Sequence, residues 1–101
     1  MAEFSLDEMR AAHEKLEKRI SLACVQSNRS RESVKLVWVS KFHPIEAVRN
    51  AEALGATDFG ENRVQEAVEK FTVRAPNIRC HIIGPVQSNK LKKAALVADY
   101  I

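Results

Sequence analysis

The sequence predicts an α/β protein in which short parallel strands alternate with helices, and two observations lead to this prediction. Strand-like apolar segments begin near residues 36, 57, 79 and 99, a repeat of about 21 residues. Between these segments, apolar residues recur at spacings of three and four, which is the pattern of one helix face. Regular alternation of strand and helix implies a parallel sheet with right-handed crossover connections.

Two architectures accept this alternation: an open doubly wound sheet, and part of a (β/α)8 barrel of the TIM type. No glycine-rich turn follows the first strand, so the dinucleotide-binding form of the open sheet has no support. A whole TIM-type barrel needs about 250 residues, whereas this chain has 101. As a partial (β/α)8 barrel, the chain would supply an N-terminal helix and about three and a half βα units.

Composition narrows the class of protein. The net charge is +3, and basic and acidic residues are interleaved over most of the chain. Basic excesses at Arg29 with Arg31 and at Lys90–Lys93 lack interleaved aromatic residues for base stacking, so we expect no nucleic-acid partner. No stretch is long and apolar enough for a membrane span. The acidic N-terminus is unlike a signal peptide, which predicts a cytoplasmic protein whose cysteines, Cys24 and Cys80, are free.

The first helix has a clear start signal. Ser5 and Glu8 fit the Ser-x-x-Glu capping box, which predicts a helix that begins at Leu6 and ends near Val25 or Gln26. Its predicted apolar stripe consists of Leu6, Met9, His13, Leu16, Ile20 and Ala23.

Three βα units and the start of a fourth follow a polar loop. The first strand is apolar and rich in β-branched residues, which is typical of a strand buried on both faces. The predicted strands are 36–39, 56–59, 78–83 and 99–101, and Gly60–Asn62 forms the turn after the second. The predicted helices run from Ile45 to Leu54 before Gly55, from Val64 to Phe71, and from a cap at Ser88 to about Ala98.

Lys41 closes the first strand and is the first candidate for chemistry. In a (β/α) barrel, reactive groups lie at the carboxyl ends of the strands. An amine held there against apolar walls loses its proton more easily and can form a Schiff base with an aldehyde. The alternative is a surface lysine whose amine reaches solvent from the strand end.

The three strand ends would converge if the sheet is parallel. They present Ser40 and Lys41, then Gly60–Asn62, then Gly84 with Gln87–Lys90 behind it. Glycines in two of these turns would let the backbone approach a ligand closely. The sequence therefore predicts a small-molecule site at this edge.

These strand ends also carry a resemblance. The segments Val39–Lys41, Phe59–Asn62 with Val64–Glu66, and His81–Gly84 with Gln87–Lys90 are similar to successive motifs of one family. That family is the pyridoxal phosphate homeostasis proteins, whose barrel resembles the N-terminal domain of alanine racemase. The likeness runs from the first helix to the last residue, and the two longer motifs are the specific ones.

The resemblance implies that residues 1–101 are the N-terminal portion of a single barrel domain that binds pyridoxal 5′-phosphate (PLP). Lys41 matches the lysine that holds the cofactor as an imine, and Asn62 matches a polar residue beside it. Members of the family are thought to balance intracellular vitamin B6 and amino-acid pools, and to deliver PLP to enzymes that depend on it. They are not known to turn over a substrate, so we expect no enzyme.

Length is the main departure from the family, whose barrel is roughly twice as long. The phosphate in such barrels is gripped by loops after strands seven and eight, and a local substitute would be the helix start near Ser88 and Asn89. The chain is expected to be a truncated fragment. Pairing with a second copy and a marginally folded short product are the alternatives.

Two other functions remain open at this point. A PLP-dependent racemase-like enzyme would need a positioned base, for which His81 is the candidate, although a packed core histidine accounts for it as well. An interaction module would use the basic fourth helix and would bind polyanions in a salt-dependent way.

Overall fold

A computed structural model describes residues 5–101, and its elements alternate as the sequence predicts. The contacts divide the chain into two compact units, of which the first ends at Leu36 and the second is Val37–Ile101. The helices are α1 (Leu6–Gln26), α2 (Ile45–Ala53), α3 (Val64–Phe71) and α4 (Leu91–Val97), with short 3-10 turns at Arg31–Ser33 and Ser88–Lys90. The strands are β1 (Trp38–Val39), β2 (Asp58–Glu61) and β3 (Arg79–Ile82).

The first unit is α1 followed by a 3-10 turn. The predicted capping box is confirmed, because the Ser5 hydroxyl accepts from the Glu8 N–H and the Glu8 carboxylate accepts from the Ser5 N–H, both at 3.1 Å. After the helix, the Arg31 guanidinium donates twice to the Glu17 carboxylate, and one of these bonds is 2.9 Å long. This hydrogen bonding lowers the pKa of Glu17 below its ordinary value. The ion pair therefore ties the turn back onto the helix.

The second unit contains a parallel sheet of order β1-β2-β3, so the predicted parallel alternation is confirmed. Phe59 in β2 is the partner of Trp38 on one side and of Cys80 on the other. The predicted fourth strand is reduced to one parallel bridge between His81 and Tyr100. Successive strands along the chain are therefore neighbours in space.

The predicted first strand is wrong in length and burial. Only Trp38 and Val39 form the strand, and Val39 is 51% exposed. Within residues 5–101, β1 pairs with β2 alone and is an edge strand. An apolar run has the same composition at an edge as in the middle of a sheet, so composition did not reveal the difference.

The second strand begins two residues later than predicted and includes Gly60 and Glu61, which were predicted to form a turn. All four of its residues are buried. The error arose because Gly60 and Asn62 are residue types typical of turns. Both acidic residues of the strand have internal partners: Asp58 contacts His81, and Glu61 contacts Lys70.

Helix α3 packs against β2 and β3, and α4 packs against α3. The rings of Phe59 and Phe71 lie with centroids 5.6 Å apart, and Ala67, Cys80 and Ala94 are fully buried. Burial raises the pKa of the Cys80 thiol to about 11, so this cysteine is an uncharged core residue. The apolar positions predicted from helical spacing in α3 therefore do form a core.

The predicted helix ends are only partly right. Gly55 adopts φ +97 directly after the C-cap of α2, where a left-handed residue ends a helix as predicted. Ser88 does not cap α4, since it lies within a 3-10 turn and the N-cap residue is Lys90.

Candidate functional site

The carboxyl ends of β1, β2 and β3 lie at one edge of the sheet because the strands are parallel. The ends of β2 and β3 approach especially closely. A Cβ atom at Gly84 would lie 3.0 Å from the Asn62 carbonyl oxygen, and the Ile83 N–H donates to the Glu61 carbonyl at 3.0 Å. Only glycine fits this approach without displacing the backbone of Asn62.

Lys41 lies in the turn that follows β1 and is half-buried. Among residues 5–101, its amine has no hydrogen-bond or ion-pair partner. The other predicted site residue, Asn62, is also half-buried and follows the last residue of β2. Gln87–Lys90, by contrast, are all exposed.

A buried ionic cluster that sequence reasoning missed lies next to Lys41. The Lys70 amine on α3 donates to the Ser40 carbonyl at 2.7 Å, to Glu61 Oε2 at 3.1 Å and to Glu66 Oε2 at 2.9 Å. The Ser40 hydroxyl also donates to Glu61 Oε2. Lys70 is 9% exposed and Glu61 is fully buried, so water does little to screen these charges.

The cluster extends to the residue after Lys41. The Phe42 N–H donates to Glu66 Oε2 at 2.6 Å, and Phe42 adopts a left-handed backbone with φ 65. Its exposed ring lies under the Arg63 guanidinium, which is 5.3 Å from the ring centroid. The turn around Lys41 is therefore held by side chains of α3 and by Arg63, the residue that precedes this helix.

The surroundings of Glu66 favour the ionised form of its carboxyl group. Burial raises the pKa of its carboxyl, but hydrogen bonds from Lys70 and from the Phe42 N–H, with the nearby charges of Lys70 and Arg63, outweigh burial and leave the pKa below its ordinary value. Glu66 is thus an ionised acceptor at neutral pH. In the part of the chain that the structure describes, Oε1 of Glu61 is the one buried side-chain oxygen or nitrogen without a hydrogen-bond partner.

His81 lies elsewhere on the sheet. Its Nε2 is 2.8 Å from Asp58 Oδ1, and its ring stacks on Tyr100 with centroids 4.5 Å apart. These contacts match the packed histidine that the sequence offers as the alternative to a catalytic base.

No group of His, Cys, Asp and Glu side chains within residues 5–101 could hold a metal ion. Over the same described range, no helix is long and apolar enough to cross a membrane.

A sequence signal for the missed residues exists, though it is weak. Glu66 and Lys70 are four apart on a helix, which is the spacing of an ordinary solvated ion pair. That spacing does not distinguish a solvated surface pair from a pair that hydrogen-bonds the backbone of a neighbouring turn, as Glu66 and Lys70 do.

Comparison with models of known protein families gave no match. Curated relatives do match. The chain is 44% identical over 89 residues to the pyridoxal phosphate homeostasis protein of Haemophilus influenzae, which covers 85% of this chain and 38% of that protein. Proteins of the same name from Escherichia coli (40% over 86 residues) and Schizosaccharomyces pombe (41% over 75 residues) also match.

The chain belongs to the pyridoxal phosphate homeostasis protein family. The predicted resemblance is thereby confirmed. The chain spans 38% of the length of the Haemophilus influenzae relative and 36% of the Escherichia coli relative.

Solved structures agree with this membership. PipY of Synechococcus elongatus, solved with PLP bound, is 45% identical with a TM-score of 0.65 over 77% of this chain and 37% of its own. PipY was also solved without PLP. A protein of unknown function from Bifidobacterium adolescentis superimposes on 98% of this chain and 45% of its own, with a TM-score of 0.83 at 28% identity.

Proposed function

We propose that this family member binds PLP through an imine with Lys41 and serves PLP (vitamin B6) and amino-acid homeostasis without turning over a substrate. One observation carries the proposal: the Lys41 amine stands at the carboxyl end of β1 without a partner among residues 5–101, while the backbone around it is firmly bonded. The relatives' name and the PLP-bound PipY structure support it. As the sequence predicts, the role would be cytoplasmic, with PLP-dependent enzymes as recipients.

The residues present fit the cofactor. PLP supplies an aldehyde carbon to which a lysine amine can bond with release of water. Lys41 is half-buried, so its side chain is reachable and partly shielded from water. Close approach of Gly84 to Asn62 leaves that part of the edge free of a further side chain. Asn62 would offer an amide, which both donates and accepts hydrogen bonds, to the polar groups of the ligand.

We further propose that the sheet is part of a (β/α)8 barrel and that residues 1–101 belong to a single such domain. Sequential, parallel strand order supports this, because each strand of a TIM-type barrel lies beside its chain neighbours. The parallel bridge from His81 to Tyr100 continues that order by one further step.

The test is a PLP titration followed by absorbance, borohydride reduction and mass mapping of the labelled peptide. We expect saturable labelling that falls mainly on Lys41. It should be lost in Lys41→Ala and kept in Lys90→Ala, an exposed lysine in the 3-10 turn before α4. Circular dichroism should show equal helix content in all three proteins.

Two results would refute the assignment. Labelling that spreads over many lysines without saturation would show that the chain has no specific PLP site. Saturable labelling that persists in Lys41→Ala would show that another amine forms the imine.

A further inference from the structure

The peptide groups on both sides of Lys41 are hydrogen-bonded to one helix. Lys70 donates to the Ser40 carbonyl at 2.7 Å, and Glu66 accepts from the Phe42 N–H at 2.6 Å. These two helix residues are four apart, so they lie on the same face of α3, and they also bond each other at 2.9 Å. The bonds close a ring that spans Lys41. We call Ser40, Glu61, Glu66 and Lys70 the α3 clamp.

Glu61 anchors this clamp to the neighbouring strand. Its Oε2 accepts from both the Lys70 amine and the Ser40 hydroxyl, so Ser40 is held at its carbonyl and at its side chain. Because Glu61 is the last residue of β2, the clamp joins the ends of β1 and β2 as well as α3.

The chemistry of the clamp is unusual for a purely stabilising device. Buried ion pairs contribute little net stability, since desolvation offsets their attraction, and well-packed apolar residues often serve equally well. What charged, directional bonds do supply is a fixed geometry. The geometry fixed here is the backbone on either side of Lys41, including a left-handed conformation at Phe42 that phenylalanine rarely adopts.

We propose that Glu66 and Lys70 are positioning residues for Lys41. By fixing both flanking peptide groups they set the direction of the Lys41 Cα–Cβ bond, and with it the place where the amine meets an incoming carbonyl compound. The proposal rests on the proposed function of Lys41 as the imine-forming residue. It adds that the reactivity of Lys41 is controlled by two residues of α3 that were not predicted as site residues.

Substitutions at Glu66 test this with little risk of unfolding, because Lys70 keeps Glu61 as a partner in each variant. Glu66→Ala removes the acceptor for the Phe42 N–H, whereas Glu66→Gln keeps an acceptor oxygen there. Glu69→Ala is the matched control, since this exposed carboxylate on the same helix contacts only Gln65 among the described residues. Phe71→Leu is a second control, which weakens the helix through its core contact with Phe59.

The first readout is the rate of PLP labelling at Lys41, trapped by borohydride and mapped by mass spectrometry. We expect Glu66→Ala to slow labelling by about tenfold or more, because small displacements of a reacting group have effects of this size. Glu66→Gln should recover most of the rate. Glu69→Ala and Phe71→Leu should label at the parental rate under conditions in which both are folded.

The second readout uses no PLP. We expect the Phe42 amide to exchange with solvent faster in Glu66→Ala than in the parent. The rate at which acetic anhydride acylates Lys41, relative to the exposed Lys90, should also change. Amide exchange and acylation test the role of the α3 clamp without PLP, so they remain informative if the parent shows no saturable PLP labelling. That result would refute the proposed function but not the role of the clamp.

Three results would overturn the inference. One is a rate of PLP labelling in Glu66→Ala equal to that of the parent, or an unchanged rate of Lys41 acylation relative to Lys90 in that variant. Another is equal slowing in Glu66→Gln and Glu66→Ala. The third is equal slowing in Phe71→Leu and Glu66→Ala, because the effect would then follow helix stability rather than the position of Lys41.

Discussion

At the scale of single residues, the main finding concerns two lysines. Lys70, which the sequence analysis does not identify, is more buried than the predicted site residue Lys41. Lys41 follows its strand as predicted, but Lys70 is 9% exposed and bonds three acceptors. The sequence could predict Lys41 because a strand end is a local pattern. Burial of Lys70 depends on acceptors contributed by a turn 30 residues away and by the neighbouring strand, and no local pattern encodes those.

Removing the charge of Lys70 should cost more than an ordinary surface substitution. Lys70→Met would leave the fully buried Glu61 carboxylate without its cationic partner, and breaking such a pair typically costs about 3–5 kcal/mol. Urea denaturation measures the loss, and Lys93→Met on α4 is an exposed-lysine control. A loss below about 1 kcal/mol, the range of exposed pairs, would contradict the described burial.

Glu66 makes stability depend on pH in a definite direction. Its folded-state pKa lies below its ordinary value of 4.5, so the folded state binds its proton less readily than the unfolded state. The stabilisation is therefore fully present above the ordinary carboxyl range and is lost as the pH falls through the lowered pKa. Free energies of unfolding across that acidic range should fall less steeply in Glu66→Gln than in the parent. If the free energy of unfolding of Glu66→Gln fell with pH as steeply as that of the parent, the lowered pKa of Glu66 would be contradicted. Glu69→Gln is the control and should keep the parental pH dependence.

At the scale of elements, helices were predicted better than strands. Apolar spacing placed α2 and α3 within a residue or so of their observed bounds, and the capping box placed the start of α1. The end of β2 was missed because Gly60 and Asn62 are typical of turns and Glu61 looks unsuitable for a buried strand until its partner is known. That partner is Lys70 on α3, a contact between elements that the strand's own sequence cannot reveal.

Arg74 connects the ends of two helices and should be needed for their packing. Its guanidinium donates to the Phe71 carbonyl at 2.9 Å, the Val97 carbonyl at 2.8 Å and Asp99 at 3.2 Å. Arg74→Ala should lower the free energy of unfolding by about 1–3 kcal/mol, because carbonyls at both helix ends lose a charged donor. Arg79→Ala, at an exposed residue of β3, should change it by less than about 0.5 kcal/mol. Equal losses in the two variants would contradict this role for Arg74.

At the scale of the whole molecule, motifs at the strand ends predicted more than composition did. Length and charge left two architectures and three functional classes open, whereas the motifs around Lys41, Asn62 and Gly84 predicted the family that the curated relatives confirm. The parallel sheet is confirmed as well. Closure into a barrel and the roles of Lys41 and Asn62 stay proposals, because strand pairing over long separations and contacts with a ligand are not encoded in local patterns.

Gly60 lies in the central strand of the sheet, where side chains of its neighbours fill the place of its own. A Cβ atom there would lie 3.1 Å from Ile83, just after β3, and 3.2 Å from Val37, just before β1. Side chains from both flanking segments thus lean over the middle strand and occupy the space that its own side chain would fill. The missing side chain of Gly60 therefore lets the two flanking segments meet over the centre of the sheet, and a larger residue at this position would have to push Ile83 or Val37 aside.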